Sequence, residues 1–580
     1  MDPGVTASRN DLVLTGFGSE ETVTENGNIT TTKSEELEEK KNNSGITYGI
    51  DDNPPWYLCI FIALQHYLTM IGSIVSIPFI LTPALCMRDD DPARSEIVCT
   101  MIFVTGLVTW FQATFGCRLP IVQGGTISFL VPTLAILNLP QWRCPEPEIV
   151  DAMTPENRTE LWQIRMRELS GAIAVSAIFQ LLIGLFGIVG MLLKYITPLT
   201  IVPTVSLVGL SLFENAARAA SQHWGIAAGT IMMVTLFSQL IREVHIPVPG
   251  YSFGKGFRII WFQLFKLFPV LLTILLMWGV CGMMTHFEHL PVGHPARTDI
   301  KLKIIEQSPW FRLPYPGQWG IPTVTAAGVL GMLAGVLACT VESISFYPTT
   351  ARMCVAPPPP VHAINRGIAI EGLGTILAGI WGSGNGTNTF GENVAAIGVT
   401  KIGSRRVIQY ASFLMIFLGL TTKIGAVFII IPQPVVGGMF CVMFGIIVAF
   451  GLSALQYVDM NSSRNLFVVG FSIFFSLVLP KWMQAHPHSI QTGNEIVDSI
   501  ITVLLSTSIM VGGITGCLLD NFVPGTPEER GLIKWQKEIE FTSNKDDADI
   551  PSTYDFPVGM GFLKRHKVFS RFPFLPTYRP

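Results

Sequence analysis

The sequence predicts an all-α polytopic membrane protein, and three observations carry that reading. Of 580 residues, 49% are hydrophobic and only 14% charged, with a mean hydropathy of +0.47. A soluble domain carries about a quarter charged residues, so this chain lacks the polar shell its length would require. The apolar residues form long runs, such as 56–85, where only Gln65 and His66 are strongly polar, and 171–193. Runs of about 18 or more read as bilayer spans. Two further segments, in matching places of the two halves, are short and opened by polar, glycine-rich stretches. Soluble enzymes, nucleic-acid binders and secreted disulfide scaffolds are excluded.

Taken in order, apolar runs and Pro/Gly/charge breaks give about fourteen segments: 56–85, 97–116, 121–138, 169–193, 196–213, 223–241, 259–284, 321–347, 366–381, 386–400, 407–430, 434–452, 465–480 and 497–519. Residues 1–52 carry 11 acidic against 4 basic residues and no apolar period. They read as a disordered tail without a cleavable signal. An even count puts both tails on one side, together with Arg118, Lys194, Arg242, Lys255, Arg258, Arg352, Arg366, Lys401, Arg405, Arg406 and Arg464. The positive-inside rule makes that side cytoplasmic. Loop 139–168 then lies outside, with Asn157-Arg158-Thr159 as a glycosylation acceptor; Asn461-Ser462-Ser463 fits the triplet but falls inside. The ten cysteines are scattered, without metal-ligand spacing, and a pair could close among Cys86, Cys99 and Cys144 near outer span ends. Net charge is −3, too small to imply a charged partner.

The two interrupted segments point to a central site. One opens Ile121-Val122-Gln123-Gly124-Gly125-Thr126-Ile127-Ser128-Phe129, the other Gly386-Thr387-Asn388-Thr389-Phe390-Gly391-Glu392-Asn393. Non-helical backbone at membrane depth survives only buried in protein or lining a cavity. Such paired segments mark a transporter's midplane site, and seven spans per half make the halves inverted repeats. Ionisable residues within spans are few and expensive: Glu342, Glu392, Glu371 and His66. Glu371, five residues from Arg366, reads as a structural carboxylate near a cytoplasmic helix end. Gln65 and His66 read as core residues that support the site, and Asn393 as a cap for the half-helix after Glu392. Gly328, Gly331 and Gly335 read as helix packing. Two carboxylates with free backbone N–H groups suit a planar ligand of alternating donors and acceptors, and suit an anion poorly.

From Pro54 onward the sequence resembles the nucleobase–ascorbate transporter family. The blocks that carry the likeness are Pro55-Trp56-Tyr57-Leu58-Cys59 with Gln65-His66, Ala356 through Gly367, Thr400 through Val407, and Gln456 through Asn465. The resemblance implies fourteen segments in two inverted seven-segment repeats, with short strands in segments 3 and 10. It implies a core domain (53–194 and 321–431) moving against a gate domain (195–320, with its outer loop, and 432–520), and a cytoplasmic tail over 521–580. The family's segment-ten signature reads here Glu392-Asn393-Val394-Ala395 through Thr400, with Ala395 where glycine is usual. Animal ascorbate carriers place Pro at the first position, whereas nucleobase carriers place Gln or Glu. Phe390-Gly391-Glu392-Asn393 is similar to the Tyr-Gly-Glu-Asn of bacterial uracil permeases. By that likeness Glu392 and the Gly391 backbone contact the base, and Phe390 flanks it. Glu342 matches the second substrate carboxylate. Ile127, beside Thr126, falls where a backbone N–H meets the substrate. Phe346 stands where uracil permeases have His and ascorbate carriers Asp.

The implied function is sodium-coupled import of uracil and related pyrimidine and purine bases by an elevator movement, in the animal sodium-dependent branch. The expected partners are the base, sodium, the plasma-membrane bilayer and a second copy joined through the gate domain, with no nucleic acid and no cofactor. Sodium-dependent ascorbate transport and proton-coupled nucleobase symport are the rivals. An embedded enzyme lacks a nucleophile–base pair or metal cluster near the carboxylates. Sulfate and bicarbonate exchangers share the general fold, but their anions would be repelled.

Overall fold

The computed structural model describes residues 46–190, 197–252, 256–486, 489–533 and 552–578. Its frame is helical: α1 (Trp56–Ala84), α2 (Ala93–Thr114), α3 (Leu130–Leu137), α4 (Pro155–Leu185), α5 (Pro198–Leu210), α6 (Trp224–Thr235) and α7 (Pro269–His286) in the first half. The second half holds α8 (Ala326–Met353), α9 (Val361–Ile380), α10 (Gly391–Thr400), α11 (Arg405–Gly419), α12 (Thr422–Ile429), α13 (Gln433–Leu452), α14 (Ser463–Ala485), α15 (Glu495–Ser506) and α16 (Ser508–Phe522). Among the described residues, nine helices are long and apolar enough to cross a membrane, or eleven if the bent pairs α11–α12 and α15–α16 each count as one span. Each predicted segment holds a helix. The chain is thus a multi-pass membrane protein of mainly helical fold.

With no water in the bilayer core, polar groups must be satisfied internally. In α1 the hydroxyls of Thr69, Ser76 and Thr82 donate to the carbonyls four residues earlier, at 2.9, 2.6 and 2.7 Å. The interrupted segments do the same as a sheet. β1 (Gln123–Gly125) pairs antiparallel with β4 (Thr387–Thr389), in the register Gln123↔Thr389, Gly124↔Asn388, Gly125↔Thr387. The short strands predicted for segments 3 and 10 are therefore present. Their antiparallel run is what an inversion of the halves requires.

Several boundaries differ from expectation. The span predicted over 259–284 starts as a hairpin: β2 (Ile246–Ser252) pairs with β3 (Gly256–Phe262), and α7 begins only at Pro269. Phe257 through Phe262 is rich in aromatic and β-branched residues, which favour strand, and Pro suits the first helical position. Span 407–430 bends by 82° between α11 and α12, and 497–519 by 78° at Thr507. Helix α4 starts at Pro155 rather than 169, because the Thr154 hydroxyl caps it by accepting from the Asn157 N–H. Cys86 pairs with Cys144, leaving Cys99 buried as a thiol.

The predicted disordered tail also needs correction. Residues 1–45 lie outside the described residues, but 46–52 dock against the start of α11: the Gly403 and Arg405 amides donate to Tyr48 and Ile50 carbonyls at 2.9 and 3.1 Å. From the other terminus, Tyr554 is buried at the same end, its carbonyl accepting from Arg366 Nη2 at 2.8 Å.

Candidate binding site

The centre of the molecule is built on the β1–β4 crossing. All six strand residues are buried. Each strand is held by a threonine from the helix before it. The Thr109 hydroxyl on α2 brackets Gln123, accepting from its N–H at 3.0 Å and donating to its carbonyl at 3.1 Å. On α9, Thr375 accepts from the Thr387 N–H at 3.2 Å and lies 3.3 Å from the Thr387 carbonyl. The same device recurs in corresponding spans of the two halves. Gly124 is required here, because a Cβ would stand 2.3 Å from the Phe390 ring.

Short helices leave both strands: a single 3-10 turn (Ile127–Phe129) continued by α3, and α10. At 8 and 10 residues α3 and α10 are too short to span, since a helix rises about 1.5 Å per residue. Their N-termini therefore lie at the strand crossing, where unpaired N–H groups and the positive end of the dipole favour acceptors.

Three carboxylates converge on this crossing. Glu371, in the middle of α9, is fully buried and accepts from Gln180 Nε2 (2.8 Å), Gln123 Nε2 (3.2 Å) and Tyr347 Oη (3.5 Å). The Ser343 hydroxyl lies 2.5 Å from Glu371 Oε2 and 2.6 Å from Asn388 Oδ1, so its one proton serves one acceptor at a time. Glu342, half-buried on α8, accepts from Asn388 Nδ2 through Oε2. Glu392, exposed in the first turn of α10, accepts from the Ser73 hydroxyl of α1 through Oε1 at 2.9 Å. Glu342 and Glu392 lie within electrostatic reach of each other. Among the described residues, Glu342 Oε1 and Glu392 Oε2 have no hydrogen-bond partner. Two accessible carboxylate oxygens thus stand ready to accept, while the third carboxylate is sealed.

The remaining predicted residues fall around this pair in varied roles. Ile127 opens the 3-10 turn and is buried. Thr126 commits its amide to Asn385 Oδ1 (2.9 Å) and its hydroxyl oxygen to the Ser128 N–H (3.2 Å), so it caps the turn. Phe390 is buried against Gly124, its amide donating to the Val122 carbonyl at 3.0 Å. Gly391 lies under Phe346, where a Cβ would stand 2.5 Å from the ring. Phe346 in turn stacks on Phe450 of α13, centroids 5.1 Å apart.

Two expectations are corrected. Asn393 does not cap α10, whose cap position is Phe390. Its amide instead donates to the His66 carbonyl (2.9 Å) and to His66 Nδ1 (3.1 Å), which places the imidazole proton on Nε2. Gln65 is buried beside it with both side-chain polar atoms unpaired, on the wall of a cavity of about 540 Å³ also lined by Ile62 and Thr400. Glu371 is not near a helix end but central. Only its position inside a span signalled it, since its donors come from α2's following strand, α4 and α8. Gln123, Gln180 and Ser343 were missed for the same reason: no local pattern marks a polar residue as facing a partner far along the chain.

Spanning helices around a buried polar crossing define a multi-pass membrane protein of the carrier type. The profile of the permease family matches residues 58–485. Solute carrier family 23 member 2 of Mus musculus is 48% identical over 541 residues, covering 92% of this chain and 83% of that one. Member 1 of Rattus norvegicus is 48% identical over 539 residues, covering 92% and 89%. Nucleobase-ascorbate transporter 1 of Arabidopsis thaliana is 32% identical over 529 residues, covering 89% and 96%. Among solved structures, the transmembrane domain of the cyanobacterial bicarbonate transporter BicA aligns with a TM-score of 0.40 and 12% identity, over 80% of this chain and 100% of that one. The chain belongs to the permease family that holds the solute carrier family 23 and nucleobase–ascorbate transporter proteins. It is a membrane transporter and not an enzyme.

Proposed function

We propose that this chain imports nucleobases, uracil and related pyrimidine and purine bases, coupled to sodium across the plasma membrane. The observation that carries the reading is the pair of accessible carboxylates, each with one oxygen free, beside two half-helix N-termini. A base presents N–H donors to the free oxygens and C=O acceptors to the backbone amides. Charge-assisted bonds from N–H to carboxylate are strong, and two carboxylates repel an anion such as ascorbate. Glu, rather than the Pro of animal ascorbate carriers, at 392 supports the same choice.

The movement is an elevator, with the core (53–194 and 321–431) sliding against the gate (195–320 and 432–520). The Phe346–Phe450 stack supports this, as a flat apolar contact between α8 and α13 that can slide without breaking polar bonds. Pairing of two copies would run through the gate. Both tails lie in the cytoplasm; the Cys86–Cys144 disulfide and Asn157, at the end away from the docked tails, fit an oxidising outer face.

Removing an acceptor from a base enclosed in the site leaves a ligand donor unpaired at about 1–3 kcal/mol, roughly a ten- to hundredfold loss of affinity. Glu342→Ala and Glu392→Ala should abolish uracil uptake at unchanged surface level, and Glu392→Gln should be milder. Uptake of labelled uracil and ascorbate, each with and without sodium, is the measurement. Near-normal uracil uptake by Glu392→Ala would sink the site. Ascorbate uptake by the unaltered chain would move the assignment to the rival, as the family name of the plant relative covers both solutes. Sodium-independent, pH-driven uracil uptake would replace sodium with the proton.

A further inference from the structure

The β2–β3 hairpin lies between α6 and α7, and among the described residues no helix lies broadly against either strand. A two-stranded hairpin alone is marginal in water and needs a surface to pack on. Directly opposite residues of an antiparallel pair share a face, and the faces alternate along each strand. The register therefore places Pro247 with Trp261, Pro249 with Ile259 and Tyr251 with Phe257 on one face, all of them apolar or aromatic and none charged. Arg258, opposite Gly250, falls on the other face. On the apolar face, Pro247 is exposed and Ile259 is 69% exposed. Apolar exposure continues on both sides of the hairpin, at Leu240 and Val244 before it and at Leu275, Leu276 and Met283 of α7 after it. Residues 236–268 carry Arg242, Lys255, Arg258 and Lys266 against the single carboxylate Glu243. Glu243 sits at the base of the hairpin, 3.2 Å from Arg242 and 3.4 Å from Lys266. Lys255 and Arg258 fall at the turn end.

We propose that the apolar face of this hairpin docks on the bilayer surface, among anionic lipid headgroups. Chain connectivity sets the place. Residues 241–245 alone separate the helical turn ending at Leu240 from Ile246, and residues 263–268 separate Phe262 from Pro269. At about 3.3–3.6 Å per residue, the base of the hairpin cannot leave the surface at which the spans end. The side follows from the cavity described above, where Lys266 and Leu267 stand across from Thr400 and Lys401. The Lys401 carbonyl accepts from the Thr47 amide at 2.9 Å, so this is the end of the docked tails. That end is the one read as cytoplasmic, and the cytoplasmic leaflet is anionic. Aromatic rings suit the headgroup level, and anionic lipid attracts Lys and Arg beside it. Docking would hold Lys266 and Leu267, one wall of the cavity, at a fixed depth.

The test places the full chain in vesicles of phosphatidylcholine with phosphatidylserine, after Cys441→Ala and Cys517→Ala remove the part-exposed thiols. Ile259→Cys carries a fluorophore. Pro247→Cys, exposed on the same face, is a second reporter, and Arg258→Cys reports the opposite face. Lipid bearing a nitroxide near the headgroup should quench the labels at positions 247 and 259 severalfold more than the label at 258. Aqueous iodide should do the reverse. Vesicles of phosphatidylcholine alone should weaken the lipid quenching at 259. Lys255→Glu with Arg258→Glu should weaken it equally in the anionic vesicles. Iodide quenching at 259 as strong as at 258 overturns the proposal and leaves the face in water. Labels at 247 and 259 that neither quencher reaches overturn it in favour of a second copy of the chain. Lipid quenching indifferent to phosphatidylserine overturns the part given to anionic headgroups.

Discussion

Glu371 differs from Glu342 and Glu392 in what surrounds it rather than in what it is. Four donors from three parts of the chain close on it, so it ties the crossing together and is sealed from solvent. Glu371→Ala leaves those donors unpaired, at about 1–3 kcal/mol each. It should lower the unfolding midpoint and the surface level together, whereas Glu392→Ala should lower uptake alone. A Glu371→Ala protein as stable as the unaltered chain would remove it from the scaffold. Lys301 offers a test in pH. Burial and the Arg94 charge lower its ammonium from 10.5 to about 8, against the attraction of Asp89. Between those values the folded chain binds fewer protons than the unfolded one, so stability rises with pH. The midpoint should therefore gain from pH 8 towards 10.5 relative to Lys301→Met, measured by parallel melts. Equal pH profiles for the two proteins would refute that shift.

Elements at the centre are placed by glycine on one side and aromatic rings on the other. Helix α10 can start at Gly391 under Phe346 because no Cβ intervenes. Gly391→Ala overpacks this contact, a class of change that costs about 1–3 kcal/mol. Because Glu392 is the next residue, the displacement should reach the site. Uptake should fall severalfold with the surface level kept, and the double change Gly391→Ala with Phe346→Leu should recover part of it. A double variant no better than Gly391→Ala alone would show that the two residues are not coupled. The hairpin of β2 and β3 has no counterpart in the sequence reading. Its apolar residues match the composition of a span, and only the strand-prone clustering before Pro269 hinted otherwise.

For the whole molecule, two segments far apart in the chain converge. Residues 46–52 and Thr553–Tyr554 meet around Arg405, which donates to the Thr553 carbonyl at 3.0 Å and pairs with Asp51 at 3.0 Å. Asn157 is exposed at the opposite end. Protein made in animal cells should carry glycan at Asn157 and none at Asn461. Loss of the gel shift on Asn157→Gln is the expected readout; a shift lost on Asn461→Gln instead would invert the membrane orientation.

What the sequence determined by itself is the class of the molecule, the order of its segments and the two interruptions at its centre. Those follow from local quantities, namely run length, charge density and the glycine content of a short window. It also marked Glu342 and Glu392, because a carboxylate inside an apolar run is costly wherever it points. Tertiary structure decided the rest. Glu371 gains its donors from residues 24 to 248 positions away. Asn393 turns to His66, 327 positions back, instead of to its own helix. Arg94 and Lys301, 207 positions apart, lie within electrostatic reach of each other. Such pairings are set by which helix faces pack against one another, and no local window contains both partners.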